Sequence, residues 1–436
     1  MDAFRIVGGH PLSGTVAASG AKNSALPIMA ASILADGPVT LEGVPELIDV
    51  DMLSRVLYRL GVHVARGRDS RLRLETVDGR CTTAPHRWVR RMRASFCVLG
   101  PLLARRGLAV VSLPGGCRIG DRPIDLHLKG LRALGADLRI DRGYVIAKAN
   151  RLRGSHVDML GPSGSTVTGT ANVLSAATLA EGRTTITGAA LEPEIADLGR
   201  FLIAMGARIS GLGTSTLEIE GVDRLQGVIH RIIPDRIEAA TLLLATAIAG
   251  GKTTVTGVQP AHLSSVLEVL QRLGMDLWIG ADYVTVERNR PLAPAQFIAR
   301  PYPGIPTDVQ AQMTAVLTLA HGESSVCDQV FPQRFEHLAE LRRLGAAVQR
   351  EGAAARVTGV MHLTGAEVTA SDLRASAALV LAGLAARGET VVHRIEHLDR
   401  GYERLEQKLT QLGARIQRIR EGRERTQPKL RLAASA

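Results

Sequence analysis

A helix-like apolar stretch, a glycine turn, a short β-rich run and a second amphipathic stretch closing on Leu-Gly or Met-Gly recur six times along this chain. The closing glycines are Gly61, Gly135, Gly206, Gly274, Gly345 and Gly413, about 70 residues apart, a spacing longer than solenoid repeats and suited to packed α/β units. With 436 residues the chain can bury a large core, and three copies in each of two domains is the simplest division. The repetition also sorts residues by purpose. A polar residue that one copy carries and its sisters lack is not there to build the unit.

The first copy displays the grammar. Ser24 to Leu34 reads as a buried helix stopped at Asp36-Gly37, and Val39-Thr-Leu alternates as a strand. Leu47, Val50, Leu53, Val56, Leu57 and Leu60 then form the apolar stripe of a second helix that Gly61 ends, followed by strands at Val62-His-Val and Arg71-Leu-Arg-Leu. Comparison of copies disposes of a phosphate-loop reading of Gly251-Lys252-Thr253. Position 246 is Thr where that motif needs Gly, and the third copy has Gly182-Arg-Thr at the equivalent place, so this is a helix-to-strand turn. His393-Arg-Ile-Glu396-His397 matches a zinc pattern in letters only, because Glu389 to His393 fills the strand slot of the sixth copy whereas zinc needs both imidazoles on one helical face. No metal is expected.

Composition narrows the partners. The formal net charge is +11, but seven basic and two acidic residues lie from Arg415 onward, so much of the excess sits in one tail. Two Trp, five Tyr and six Phe are too few for a stacking surface on single-stranded nucleic acid, whereas a moderate basic excess suits anionic small molecules. The four Cys, at 81, 97, 117 and 327, form no CxxC pair, the start of the chain carries no secretory h-region, and no apolar run approaches a bilayer span. Free thiols and a cytoplasmic location are expected, with neither nucleic acid nor membrane as partner.

Subtracting the repeat leaves a few polar residues in unusual places. In Leu113-Pro-Gly-Gly-Cys117-Arg118-Ile-Gly-Asp-Arg122 three glycines make a mobile loop, and two arginines flank Cys117 closely enough to favour its thiolate. Lys22 and Asn23 stand at the mouth of the first helix, where free N–H groups and an ammonium attract an anion; ordinary capping is the alternative. Asp308 follows Pro306-Thr307, where a carboxylate serves either as a helix cap or as a general base, with capping favoured by the residues alone. Arg93, Arg334, Arg374 and Arg400 lie near element ends. Taken with Lys22 and Arg122, they exceed what a fold needs and suit a substrate bearing phosphate and carboxylate.

At these residues the chain resembles the UDP-N-acetylglucosamine enolpyruvyl transferase family, from residue 1 to about 420. The motifs that carry the resemblance are Ser-Gly-Ala-Lys22-Asn23, Met-Arg93-Ala-Ser, Leu-Pro-Gly-Gly-Cys117 with Ile-Gly-x-Arg122-Pro-x-Asp-Leu-His127, Glu192-Pro-Glu-Ile, Pro234-Asp-Arg-Ile-Glu, Pro-Thr-Asp308-x-Gln-Ala-Gln, Asp-Leu-Arg374-Ala-Ser and Asp-Arg400-Gly-Tyr-Glu-Arg. The resemblance implies an α/β fold of two inside-out domains, each of three βαβαββ units around buried helices. One domain would span 22–233 and the other 1–21 with 234–423, hinged near Lys22 and Pro234, leaving 424–436 as a disordered basic tail.

The implied reaction moves the enolpyruvyl group of phosphoenolpyruvate to the 3′-hydroxyl of UDP-N-acetylglucosamine and releases phosphate, without cofactor. This is the first committed step of peptidoglycan synthesis and the target of fosfomycin. By position, Cys117 would donate a proton to the methylene carbon and Asp308 would act as base. Lys22, Arg122 and Arg400 would hold the phosphate, with Arg334 and Arg374 near the carboxylate, and Asn23 would also bind phosphoenolpyruvate. The sugar nucleotide would meet Asn23, Arg93, Arg122, Pro123, Ile124, Asp125, Leu126, Gly164, Ser165, Thr166, Val167, Asp308 and Val330. The chain departs from the family pattern at Ile48, at Thr166-Val-Thr-Gly and at Pro332-Gln333, which bear on the diphosphate contacts. A relative acting on another nucleotide acceptor is the alternative. The shikimate-phosphate transferases share the chemistry but lack the Gly-Gly-Cys loop.

Overall fold

The computed structural model describes residues 2–115, 123–162 and 164–420. The repeated unit becomes a four-stranded sheet with a buried helix and an amphipathic one. In the fifth copy, Gln296–Ala299 runs parallel to Glu323–Asp328, which pairs antiparallel with Ala354–Thr358, itself antiparallel to Ala347–Glu351. Six sheets follow this order.

The local reason is visible at the end of each amphipathic helix. All six closing glycines hold φ between +75° and +108°, the left-handed region that a β-carbon disfavours. In five of the copies the next N–H reaches back to the carbonyl five residues earlier, as Ala136 does to Leu131 and Ala414 to Leu409, a Schellman cap that turns the chain into its next strand.

The helices that begin the copies are mostly buried. Every residue from Arg236 to Ile248 of the Arg236–Ala249 helix is buried, and it packs with Thr307–Leu317 and Leu373–Ala385. Thr246, inside this helix, is satisfied internally, its Oγ1 lying 2.6 Å from Thr253 Oγ1. Thr253 belongs to the strand Gly251–Thr256, between Leu12–Ala17 and Tyr283–Arg288, and Lys252 pairs with Glu287 at 3.0 Å. The Gly-Lys-Thr letters therefore make sheet.

Buried apolar side chains fall into two clusters, one drawn from 21–233 and the other from 4–16 with 237–416. The beginning of the chain completes two distant sheets of the second cluster. Leu12–Ala17 pairs with Gly251–Thr256, and Asp2–Val7 inserts between Glu389–His393 and Arg415–Arg420, antiparallel to both. Ile229–Arg231 returns to pair with Val39–Glu42 and closes the first sheet.

The chain passes between the clusters twice, at adjacent places. Ala21 N–H donates to Ile233 O at 2.7 Å, and Asp235 N–H to Ser19 O at 2.8 Å. Gly20, between them, lies so close to another backbone that a β-carbon would stand 1.9 Å from Gly43 O.

Candidate active site

The first crossing delivers Lys22 to the start of the Lys22–Ala31 helix. Its N–H donates to Asp235 Oδ2 at 3.3 Å, while Asp235 Oδ1 caps the Arg236–Ala249 helix through Ile237 and Glu238 N–H at 2.8 and 3.0 Å. Two helix N-termini, one from each cluster, thus meet at one carboxylate, with positive dipole ends converging. Lys22 Nζ lies 3.3 Å from Asp49 Oδ2, and Arg400 Nε donates to Asp49 Oδ1 at 2.8 Å. Asp49 is only 3% exposed and joins two cations from opposite clusters. Arg400 Nη2 also donates to Arg91 O at 3.3 Å.

Sequence reasoning did not single out Asp49, because an acid in the first turn of a helix is ordinary dipole chemistry. A usable signal existed. Asp49 stands four residues before Leu53, on the buried stripe of the Ile48–Arg59 helix.

The second group is Asp308 with Arg334 and Arg374. The Thr307–Leu317 helix begins after Pro306 with no side-chain cap, so the capping alternative for Asp308 is not what the fold uses. Its carboxylate instead accepts Arg334 Nη1 at Oδ1, 2.9 Å, and Arg374 Nη2 at Oδ2, 3.1 Å. Arg334 and Arg374 are 6% and 3% exposed, whereas the Asp308 side chain is 28% exposed. Burial pushes the Asp308 carboxyl up, but the charges of Arg374 and Arg334 outweigh it and hold the group well below the usual carboxylate range.

Arg374 is positioned by its helix. Asp372 caps Leu373–Ala385 by accepting Arg374 and Ala375 N–H at 2.8 and 3.3 Å, and the guanidinium stands 5.2 Å from the Tyr402 ring centroid. Tyr402, a second residue that sequence reasoning left without a role, is held by Thr241 Oγ1 at 2.9 Å and Gln312 Nε2 at 3.0 Å. Arg334 Nη1 also donates to Thr307 O at 3.3 Å.

Cys117 and Arg122 lie outside the described residues. Just beyond them Pro123 O accepts Arg93 Nη2 at 2.9 Å, Ile124 precedes the Asp125–Ala133 helix, and a β-carbon on Gly161 would meet Leu126. Gly164 and Ser165 pair with Leu160–Gly161; a β-carbon on Gly164 would stand 3.5 Å from Pro301, so this stretch faces the second cluster. Thr166 caps the Val167–Ala177 helix, accepting Gly169 N–H at 3.2 Å. Val330 N–H donates to Asp328 Oδ1 at 2.9 Å, and Asp328 Oδ2 accepts Thr307 Oγ1 at 2.6 Å, which ties the Val330 loop to the residue before Asp308. Asn23 is half-buried beside Lys22.

Further buried ion pairs lie nearby, the first across the two clusters and the second within one. Arg236 makes a forked pair with Glu194 at 2.9 and 3.2 Å, both nearly buried, and Lys408 Nζ lies 2.8 Å from both oxygens of the buried Glu238. His393 faces Glu367 at 3.5 Å while His397 Nε2 lies 2.9 Å from Arg394, so the two rings have separate partners. Among the described residues no helix is long and apolar enough to cross a membrane.

The model of the EPSP synthase (3-phosphoshikimate 1-carboxyvinyltransferase) family matches residues 6–409. The chain belongs to this family. Within the family it is similar to proteins named UDP-N-acetylglucosamine 1-carboxyvinyltransferase. That of Halorhodospira halophila is 50% identical over 420 residues, covering 96% of this chain and 100% of that one. That of Dichelobacter nodosus is 49% identical over 421 residues, covering 97% and 100%. Among solved structures, the enolpyruvyl transferase NikO from Streptomyces tendae superposes with a TM-score of 0.86 at 29% identity, covering 96% of this chain and 99% of that one. The EPSP synthase of Acinetobacter baumannii, at 18% identity and a TM-score of 0.74 over 96% and 100%, shares the fold. The inside-out architecture is thus that of the 1-carboxyvinyltransferases.

Proposed function

We propose that the chain transfers the enolpyruvyl group of phosphoenolpyruvate to the 3′-hydroxyl of UDP-N-acetylglucosamine with release of phosphate. The observation that carries this reading is half identity, across essentially the full length of both chains, to proteins named for that activity. The two cation groups add chemical support, since a small dianionic head and a planar carboxylate need two separate sets of donors.

In this reading Lys22 and Arg400, with Arg122, take the phosphate, and the converging helix N-termini favour it both bound and leaving. Arg334 and Arg374 take the carboxylate, and Asn23, next to Lys22, also contacts phosphoenolpyruvate. Asn23, Arg93, Arg122 to Leu126, Gly164 to Val167, Asp308 and Val330 line the path of the sugar nucleotide. The 3′-hydroxyl gives its proton to Asp308 while its oxygen bonds to C2 of the enol. The π pair of that alkene takes a proton at C3 from the Cys117 thiol, giving a tetrahedral ketal. Elimination reverses the second transfer: C3 returns its proton to the Cys117 thiolate as the C2–O bond to phosphate breaks, and the phosphate leaves with the proton that Asp308 had taken from the acceptor.

The bodies built on the two apolar clusters are read as the domains 22–233 and 1–21 with 234–423, hinged at the paired crossings, with 424–436 as a tail. Protein and substrates are placed in the cytoplasm, with no nucleic acid or membrane as partner. The test is phosphate release from phosphoenolpyruvate with and without UDP-N-acetylglucosamine. Release that requires the sugar nucleotide and yields its enolpyruvyl ether supports the reading; no release from folded protein overturns it.

A further inference from the structure

Asp308 sits against Arg334 and Arg374 in an arrangement that neither capping nor catalysis by itself explains. A base serves best when its proton affinity is near the working pH, yet this carboxylate is held by two guanidinium groups, at 2.9 and 3.1 Å. Two buried guanidinium groups share one carboxylate that gives a single oxygen to each, and the next acid, Asp372, stands 3.9 Å from Arg334 with its Oδ1 already capping a helix. Arg334 Nε is buried without an acceptor among the described residues. The pair therefore keeps at least one donor to spare, and Asp308 uses only one oxygen on each guanidinium. A planar carboxylate brought by a ligand could take the place that Asp308 holds on the same donors.

Resting on the function proposed above, we propose that Asp308 is an internal stand-in for the substrate carboxylate, occupying the Arg334–Arg374 pair until a ligand carrying its own carboxylate displaces it. Displacement exchanges one carboxylate for another on the same donors, so the site is neutralised by substrate and Asp308 is freed toward the cleft. The freed group no longer has the two cations that depress its proton affinity, and it becomes able to take the acceptor hydroxyl proton. An enol phosphate without a carboxylate could bind at the Lys22–Arg400 end yet leave the base masked. Asp308 thus makes the enzyme specific for the carboxylate-bearing donor, and the ion pair lowers the apparent affinity for that donor by the fraction of sites that Asp308 occupies.

This predicts an unusual sign for a base variant: tighter substrate binding. Phosphoenolpyruvate is titrated by calorimetry into Cys117→Ser protein, which removes the reactive thiol, and into the Cys117→Ser, Asp308→Asn double variant. The double variant should bind phosphoenolpyruvate about tenfold or more tightly, while inorganic phosphate, which lacks the carboxylate, binds both alike. Equal or weaker phosphoenolpyruvate binding in the double variant overturns the stand-in role alone. Failure of phosphoenolpyruvate to bind either protein overturns the proposed function and this inference together. Should the Asn variant not fold, Asp308→Ser removes the same charge and carries the same expectation.

Discussion

Two groups in the molecule share one design, a carboxylate between two cations, and differ in where the cations come from. Asp49 joins Lys22, from the first apolar cluster, to Arg400, from the second. Asp308, Arg334 and Arg374 all belong to 234–420. The first arrangement exists only while the two bodies are together, and the second is complete within one of them. An anion bound at the first site would therefore report on, and reinforce, the approach of the bodies. An anion at the second enters a seat already built.

The sharpest test of this contrast is Asp308→Asn, which should lower turnover by about 10²- to 10⁴-fold in a phosphate-release assay. Retained turnover would remove Asp308 from the chemistry and leave the group purely structural. Next in size is Glu194→Ala, which strands the buried Arg236 between the bodies. A loss of about 3 kcal/mol or more in denaturant unfolding is expected, and a change within 0.5 kcal/mol would mean that the bodies are held by apolar contact alone. Asp49→Asn should raise the KM for phosphoenolpyruvate about tenfold, ~1.4 kcal/mol, and increase the radius of gyration seen by small-angle scattering. Arg334→Lys should raise that KM without changing the scattering. If both variants scatter alike, the contrast between the two groups fails.

The smallest effect concerns acid. Burial holds His127, in the first body, down to about 3 and His337, in the second, down to about 4. Each is neutral when folded, while the unfolded chain takes up a proton below about pH 6.5, so stability falls as pH drops from there toward the folded values, at up to about 1.4 kcal/mol per unit and group. His127→Asn should flatten the melting temperature against pH between 6.5 and 5. An unchanged slope would leave the acid response to the second body.

Much of the fold was legible because its signals are local. The six Leu-Gly and Met-Gly closures become left-handed caps, and the comparison of copies that removed the phosphate-loop reading agrees with Thr246 bonded to Thr253 across helix and sheet. The position of Asp2–Val7 was beyond local reading. Its partners, Glu389–His393 and Arg415–Arg420, lie at the far end of the chain, and an alternating strand carries no record of which edge it joins. The candidate site divides in the same way. Excess cations pointed to Lys22, Arg334, Arg374 and Arg400, but the anions between them were hidden: Asp49 passes for a first-turn helix acid, Asp235 for a cap, and Asp308 for the cap that Pro306 leaves unmade. A charge shows its purpose only beside its partner.

The paired crossings at Gly20 and Pro234 make the first body an insertion in the second, and this orders events during synthesis. The segment 21–233 has all its own strands once little more than half of the chain has been made. The second body must wait, because its first strand, Asp2–Val7, pairs with its last, Arg415–Arg420. Until Arg415–Arg420 is made, a folded first body holds the amino-terminal strand of an incomplete second one. Asp2–Val7 stays apolar, unpaired and in need of shelter for longer than any other strand described.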